Sequence, residues 1–407
     1  MPRENVGADV LTMAQFRVKL AFDNFEKICV GYSGGKDSTV MLHLVMDEAI
    51  KRHRKVAILY IDFEAQYKLT IDCISESFER YKENIDPYWV CLPIHLRNAV
   101  SVFDPFWKCW DSQAKMAWVR PMPDIAIKDK GYFPFFKEGM EFEEFIPKFA
   151  EWYSDGKQCA MFVGIRCEES YNRYLTIASK YKTMFDDYRF TTKANETTYN
   201  FYPIYDWKVK DIWRFHGKNP NLHYNKVYDR MQMAGVPLSE QRLCQPYGDD
   251  QKRGLWLFHI LEPETWGKII ARVNGANGGS LYAKEHGNIN GYRTISKPNH
   301  LTWRQFAYLL VRSMPQKTKE HYENKIGLYI QWWLKHGYSK GIPDCSDYKL
   351  EMLKRVPSWR RVCKALLRND YWCKGLGFVQ QKSHAYLRYL ELMEKKKKSC
   401  RYLIDSQ

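Results

Sequence analysis

One six-residue run, Ser33-Gly34-Gly35-Lys36-Asp37-Ser38, constrains this chain more than any other feature. It joins a strand-length apolar stretch at 27–33 to a helix-like stretch at 37–53, where Val40, Met41, Leu44, Val45 and Met46 recur at helical spacing. Adjacent glycines permit positive φ and let the backbone come close to a bound group. The free N–H groups of a helix start then face an anion, aided by the helix dipole. Lys36 adds a positive charge, and Ser33 and Ser38 offer hydroxyl donors. By residue type this is a phosphate cradle. It is not a Walker A loop, which places Gly where Val30 stands and Ser or Thr where Asp37 stands.

The surrounding pattern predicts an α/β fold with a doubly wound parallel sheet. Apolar runs at 55–62, 88–92 and 159–164 read as further strands, and Ile71, Ile74 and Phe78 mark a helix over 70–81. Such sheets bind ligands beyond the carboxyl ends of their strands, which singles out Asp62 and Arg166. Residues 103–149 form an insertion rich in proline and aromatics, read either as a substrate-facing excursion or as packing cover. The glycine- and asparagine-rich stretch at 273–291 reads as a flexible loop. Beyond it, 301–313, 317–336, 347–356, 358–368 and 378–394 carry helical periodicity. The expected division is an α/β domain over 1–245 and a basic, mainly helical domain over 246–407.

Charge separates the same two parts. Residues 1–250 hold 34 basic and 35 acidic side chains, whereas 251–407 hold 29 and 12, a net +17. An anionic partner for the C-terminal part follows, nucleic acid foremost. On 358–368, Trp359, Val362, Cys363, Leu366 and Leu367 make an apolar stripe. Arg360, Arg361, Lys364 and Arg368 fall mostly on the opposite face, which suits a phosphate backbone. The eleven cysteines include no C-x-x-C pair, so zinc and iron–sulfur ligation lack local support. No apolar run nears the ~18 residues that span a bilayer, and the N-terminus lacks the apolar core of a signal peptide. The expectation is a cytoplasmic protein without a membrane segment.

The cradle resembles the signature of the PP-loop ATP pyrophosphatase superfamily. Gly164-Ile165-Arg166 with Ser170, then Tyr202-Pro203-Ile204-Tyr205-Asp206-Trp207 and Asp211-Ile212-Trp213, are similar to its 3′-phosphoadenylylsulfate (PAPS) reductase-like branch. Asn219, Tyr224-Asn225 and Tyr228-Asp229 extend the likeness. It implies an adenine nucleotide α-hydrolase-like fold and ATP cleavage between the α and β phosphates, giving pyrophosphate and AMP or an adenylate. It further implies nucleotide binding by Ser33, Gly34, Gly35, Lys36, Asp37, Ser38, Asp62, Arg166 and Glu169. Lys36, Asp37, Asp62 and Arg166 would be catalytic, with Asp37 and Asp62 orienting Mg2+. Alternatives stay open: Asp37 capping the helix, Glu168 or Glu169 holding Arg166 in a structural ion pair, and Asp206 with Trp207 fixing a strand-to-helix corner.

The C-terminal part is similar to IbrA/YbdN-like bacterial proteins, which implies a ParB-like partner. The Glu-Cys-Gly-x-His element of sulfonucleotide reductases is missing around Cys400, which disfavours PAPS reduction. Cys244, in Arg242-Leu243-Cys244, is the other thiol to consider. Three functions remain: an ATP pyrophosphatase acting with or on nucleic acid, a reductase- or sulfurylase-like sulfonucleotide enzyme, and a regulatory ATP-binding module without turnover.

Overall fold

The apolar run that ends at the glycine pair is the central strand of a six-stranded sheet. In chain order the first elements are α1 (Val10–Asn24), β1 (Lys27–Gly31), α2 (Lys36–Lys51), β2 (Val56–Ile61), α3 (Lys68–Arg80) and β3 (Ile85–Val90). Two short strands follow, β4 (His95–Arg97) and β5 (Phe106–Lys108), then α4 (Phe142–Ser154), β6 (Cys159–Val163) and α5 (Tyr171–Ala178). β7 (Thr191–Lys193), β8 (Thr198–Phe201), α6 (Val209–Lys218) and α7 (Val227–Met233) come next. The computed structural model describes residues 7–179, 181–243, 247–248, 254–281 and 295–378. They fall into two units, Met1–Ile94 with Cys109–Leu243 and Ile260–Thr265, and His95–Lys108 with Cys244–His259 and Trp266–Gln407.

In the first unit the strand order is β3-β2-β1-β6-β8-β7, parallel except for the β7–β8 pair. The α/β reading therefore holds, with helices flanking a mostly parallel sheet. β2 is buried at every position, the mark of a strand covered on both faces. The order reverses direction between β1 and β6, so a crevice opens beyond their carboxyl ends. The Ser33–Ser38 run leaves β1 there, and Arg166 follows β6.

The Pro- and aromatic-rich insertion is packing cover where it belongs to this unit. Phe133 stacks edge-on against Phe145 and Trp152, and Phe149 meets Tyr88 of β3 at 5.2 Å between ring centroids. The Asp206 corner is fixed by α1, which shows no strong sequence signal. Arg17 donates to both Asp206 oxygens at 2.8 Å, and Trp207 Nε1 donates to Val10 O at 3.0 Å.

The second unit pairs β4 with β5 antiparallel. It continues, apart from Ile260–Thr265, through α8 (Leu255–Leu261) and α9 (Pro263–Arg272), then through α10 (Ala276–Leu281), α11 (Trp303–Arg312), α12 (Gln316–Lys335), α13 (Tyr348–Met352) and α14 (Trp359–Leu367). Its core gathers Val311, Tyr322, Ile326, Ile330, Val362 and Leu366. The stretch read as a flexible loop departs from expectation, because 276–281 is helical. Its glycines serve close approach: a Cβ on Gly279 would meet Val100 Cγ1 at 2.6 Å, and Gly275 has φ +83° against the Val100 carbonyl. The predicted helix over 378–394, Cys244 and Cys400 lie outside the described residues, apart from Phe378. Among the described residues no helix is long and apolar enough to cross a membrane.

Candidate functional site

The turn after β1 is shaped by two glycines with different jobs. Gly34 has φ +69°, and a Cβ there would press on Ile74 and Thr70 of α3 at 3.0–3.1 Å. Gly35 is the N-cap of α2 and, lacking a side chain, makes no capping bond of its own. Ser38 Oγ lies 3.0 Å from Ser33 Oγ and donates to Gly35 O at 3.0 Å, closing the turn on itself. Gly164 completes the cradle from the β6 side. A Cβ there would sit 3.0 Å from Ser38 Cα, so only glycine lets β6 lean on the first turn of α2.

Three charged residues meet at that helix start. Arg166 Nε donates to Asp37 Oδ1 at 2.6 Å, and Lys36 Nζ is 3.3 Å from Asp37 Oδ2. Asp37 thus bridges the two cations and does not cap the helix. Glu168 receives a second Arg166 bond at 3.1 Å and the Val209 N–H at 3.0 Å. Glu169 accepts the Arg166 main-chain N–H at 3.1 Å and pairs with Arg173. Glu168 thus makes the ion pair with the Arg166 guanidinium, while Glu169 holds the Arg166 main chain. Lys36 and Arg166 are buried, at 3% and 2% exposure, while Ser33 is exposed.

Asp62 stands at the end of β2 as the sequence predicts, and its carboxylate is fully committed. Oδ1 accepts from Glu64 N at 2.9 Å and from Arg120, and Oδ2 accepts from Trp89 Nε1 at 2.8 Å. With Glu64, which accepts from Trp110 N and Val119 N, it anchors the 109–120 segment. This donor set does not fit a resident magnesium ion. Asp37 is held by two cations, Asp62 by three donors, and no group of three potential ligands occurs among the described residues.

Several residues that sequence reasoning left without a role join the cradle from α7 and its return. Asn225 Nδ2 donates to Gly34 O at 2.9 Å, the Lys36 N–H donates to the Tyr228 hydroxyl at 3.1 Å, and Lys36 Nζ donates to Gln241 O at 2.9 Å. Asn225 and Tyr228 lay inside the run that resembles the superfamily, a signal that marked the place without the role. Behind α2 lie three buried histidines. His43 Nδ1 is 2.6 Å from Tyr81 Oη, His43 Nε2 is 2.9 Å from His223 O, and His223 Nε2 is 2.6 Å from Ser77 Oγ. Burial pushes His43 down to about 3 and His216 and His223 to about 4, so all three are neutral near pH 7. Cys167, beside Arg166, has its thiol pushed up by burial, which opposes a nucleophilic thiolate there.

The predicted basic face of α14 is differently disposed. Arg361 is buried, its guanidinium spent on the carbonyls of Val356 and Gly375 at 2.5 and 2.8 Å. Arg360 pairs with Glu351 at 2.9 Å and donates to Ser346 O at 2.7 Å. Lys364 and Arg368 are half-buried. Of the four, Arg361 leaves the face altogether because its main-chain partners lie inward.

A mostly parallel sheet that reverses at β1/β6, with a Gly-Gly-Lys turn entering α2 at the reversal, defines an α/β protein. The chain belongs to the family of YbdN of Escherichia coli (strain K12), described as an uncharacterized protein. The two are 43% identical over 392 residues, which is 96% of this chain and 95% of YbdN. A domain of unknown function (DUF3440) matches residues 235–342 and 338–386. Among solved structures, FMN adenylyltransferase of Candida glabrata, in complex with FMN and the ATP analogue AMPCPP, is 16% identical at a TM-score of 0.32. That match covers 56% of this chain and 64% of that chain, so this protein spans less than two thirds of the adenylyltransferase. PAPS reductase of Candida auris, a phosphate complex, is 12% identical at a TM-score of 0.28, covering 53% of this chain and 84% of that one.

Proposed function

We propose that this protein binds ATP with its β and γ phosphates in the 33–38 turn and cleaves the bond between the α-phosphorus and the α,β-bridging oxygen. The observation that carries this reading is the convergence of Lys36, Arg166 and the N-terminus of α2 at the sheet's reversal point. In the reaction the electrons of the broken bond leave on pyrophosphate, and the α-phosphorus accepts an oxygen from water or from an acceptor. Positive charge and N–H donors placed where the leaving group gains charge lower the barrier, typically by about 3–4 kcal/mol for each well-placed donor. Asp37 keeps the two cations aligned, while Glu168 and Glu169 hold Arg166 in place. Magnesium would arrive with the triphosphate, because the carboxylates here are occupied.

The acceptor we propose is nucleic acid, on the strength of the +17 carried by 251–407. Within α14 the partly exposed groups that would meet a phosphate backbone are Arg360, Lys364 and Arg368. A ParB-like partner and a cytoplasmic setting belong to the same proposal. Incubation with ATP, with and without DNA or RNA, followed by chromatography, tests it. Pyrophosphate is the expected product in both cases, with free AMP where water attacks and AMP joined to the nucleic acid where that is the acceptor, and more pyrophosphate when nucleic acid is present; ADP and phosphate, or unchanged ATP, would refute cleavage at this site.

A further inference from the structure

The two donors of Lys36 that the cradle needs are both engaged by neutral oxygens from one stretch of chain. Its N–H points to the Tyr228 hydroxyl at 3.1 Å, and its ammonium donates to Gln241 O at 2.9 Å while lying 5.1 Å from the Tyr228 ring centroid. That stretch is itself fastened. Asn225 bonds Gly34 O and Thr70 Oγ1 at 2.9 Å and receives the Val227 N–H at 3.0 Å, fixing the start of α7. Gln241 Nε2 returns to Gln232 Oε1 at 3.0 Å and Val236 O at 2.9 Å, fixing the carbonyl that receives Lys36. Trp213 meets the Tyr228 ring edge-on at 5.8 Å, and Tyr228 is buried. The hydroxyl also lies 3.5 Å from the point a Gly35 Cβ would occupy, directly over the start of α2.

We infer that Tyr228 is a specificity-determining residue whose hydroxyl stands in the place of a phosphate oxygen, so that only a multiply charged phosphate displaces it. The inference rests on the ATP reading of the cradle. A phenol oxygen is a neutral acceptor, and a charge-assisted bond to a phosphate oxygen is roughly twice as strong. A pyrophosphate or triphosphate group gains that difference at the Lys36 N–H and brings a second charged oxygen to the ammonium, which otherwise rests on Asp37 and the Gln241 carbonyl. A monoanion can do only one of these and an uncharged ligand neither. Asn225 does not compete in the same way, since it contacts the Gly34 carbonyl and leaves the donors alone.

Binding of inorganic pyrophosphate and of ATP to the full-length protein, measured by calorimetry, tests this on the wild type, Tyr228→Phe and Tyr228→Leu. Removing only the hydroxyl removes a neutral hydrogen bond that the ligand otherwise has to break, worth about a factor of five in affinity. Tyr228→Phe is therefore expected to bind pyrophosphate about fivefold tighter, whereas Tyr228→Leu, which also loses the ring beside Lys36, binds it more weakly. Tighter binding by Tyr228→Phe, or binding by it alone, supports the inference. Equal or weaker binding by Tyr228→Phe, with binding by the wild type intact, overturns it and leaves the cradle standing. Binding by neither protein overturns both. Hydrogen exchange on the wild type gives a variant-free check. Pyrophosphate should raise exchange across 226–241 while 33–38 stays protected, and added protection of both segments contradicts displacement.

Discussion

Two clusters of basic side chains were assigned to phosphate by the sequence, and the fold treats them in opposite ways. At the β1/β6 reversal, Lys36 and Arg166 are gathered by one aspartate at a helix start, beside glycines that keep the backbone close. On α14, Arg361 turns inward to bind two carbonyls and Arg360 is paired with Glu351. A cation near a helix start and a sheet's carboxyl edge stands among N–H donors and partial positive charge that favour an anion. A cation on an amphipathic helix has only its own charge, and neighbouring main chain can claim it. Composition counts both kinds equally.

That contrast can be broken most directly at Lys36. Lys36→Ala should lower pyrophosphate release by about a hundredfold or more, since it removes a leaving-group stabiliser, and a steady-state assay with product chromatography reads it. Replacing Arg360, Lys364 and Arg368 together by Ala should leave nucleic-acid-independent cleavage within about twofold. Equal losses in the two experiments would erase the distinction.

The next effect is on stability against pH and belongs to the cradle's unit. His43, His216 and His223 are neutral when folded, with values of about 3, 4 and 4, against an ordinary value of 6.5. The unfolded chain therefore binds more protons below pH 6.5. Stability is fully present above that pH and falls as pH drops toward 4, each unit per histidine costing about 1.4 kcal/mol. Denaturant midpoints between pH 7 and 4.5 should decline steeply, and His43→Gln should flatten the slope. In the other unit His321, stacked on Tyr371 at 3.7 Å and pushed down to about 3 by burial, adds a single group of the same sign.

Arg361→Ala comes third. Losing a buried guanidinium strands the Val356 and Gly375 carbonyls, a cost of about 2–4 kcal/mol, visible as a lower midpoint with unchanged ATP cleavage. The smallest effect is expected from Lys364→Ala with Arg368→Ala, which should reduce the salt slope of DNA binding by up to about 2. A slope change caused by Arg361→Ala in a still-folded protein would return that residue to the interface.

The cradle was legible because its signal is local: glycines, a lysine and a strand-to-helix junction within six residues. Strand positions β1, β2 and β6 were readable for the same reason, as continuous apolar runs. What could not be read lies across long sequence distances. The bonds from Asn225, Tyr228 and Gln241 join residues about 190–205 positions apart, and α1 announces itself only through Arg17 and its partner Asp206. Asp62 was placed correctly at a strand end, but its bond to Arg120 fills the carboxylate that position seemed to offer. The glycines of 275–279 were misread because glycine marks both loose chain and tight contact, and Val100 decides which. The face of α14 was misjudged because periodicity assigns sides of a helix, not what stands beside them.

The central claim is that the turn between β1 and α2 receives the outer phosphates of ATP. A crystal structure of the full-length protein with an ATP analogue that cannot be cut between the α and β phosphates tests it most directly. The β- and γ-phosphate oxygens are expected on the N–H groups of residues 35–38 and on Lys36 Nζ. A triphosphate bound elsewhere, with Lys36 still on Gln241, would contradict it.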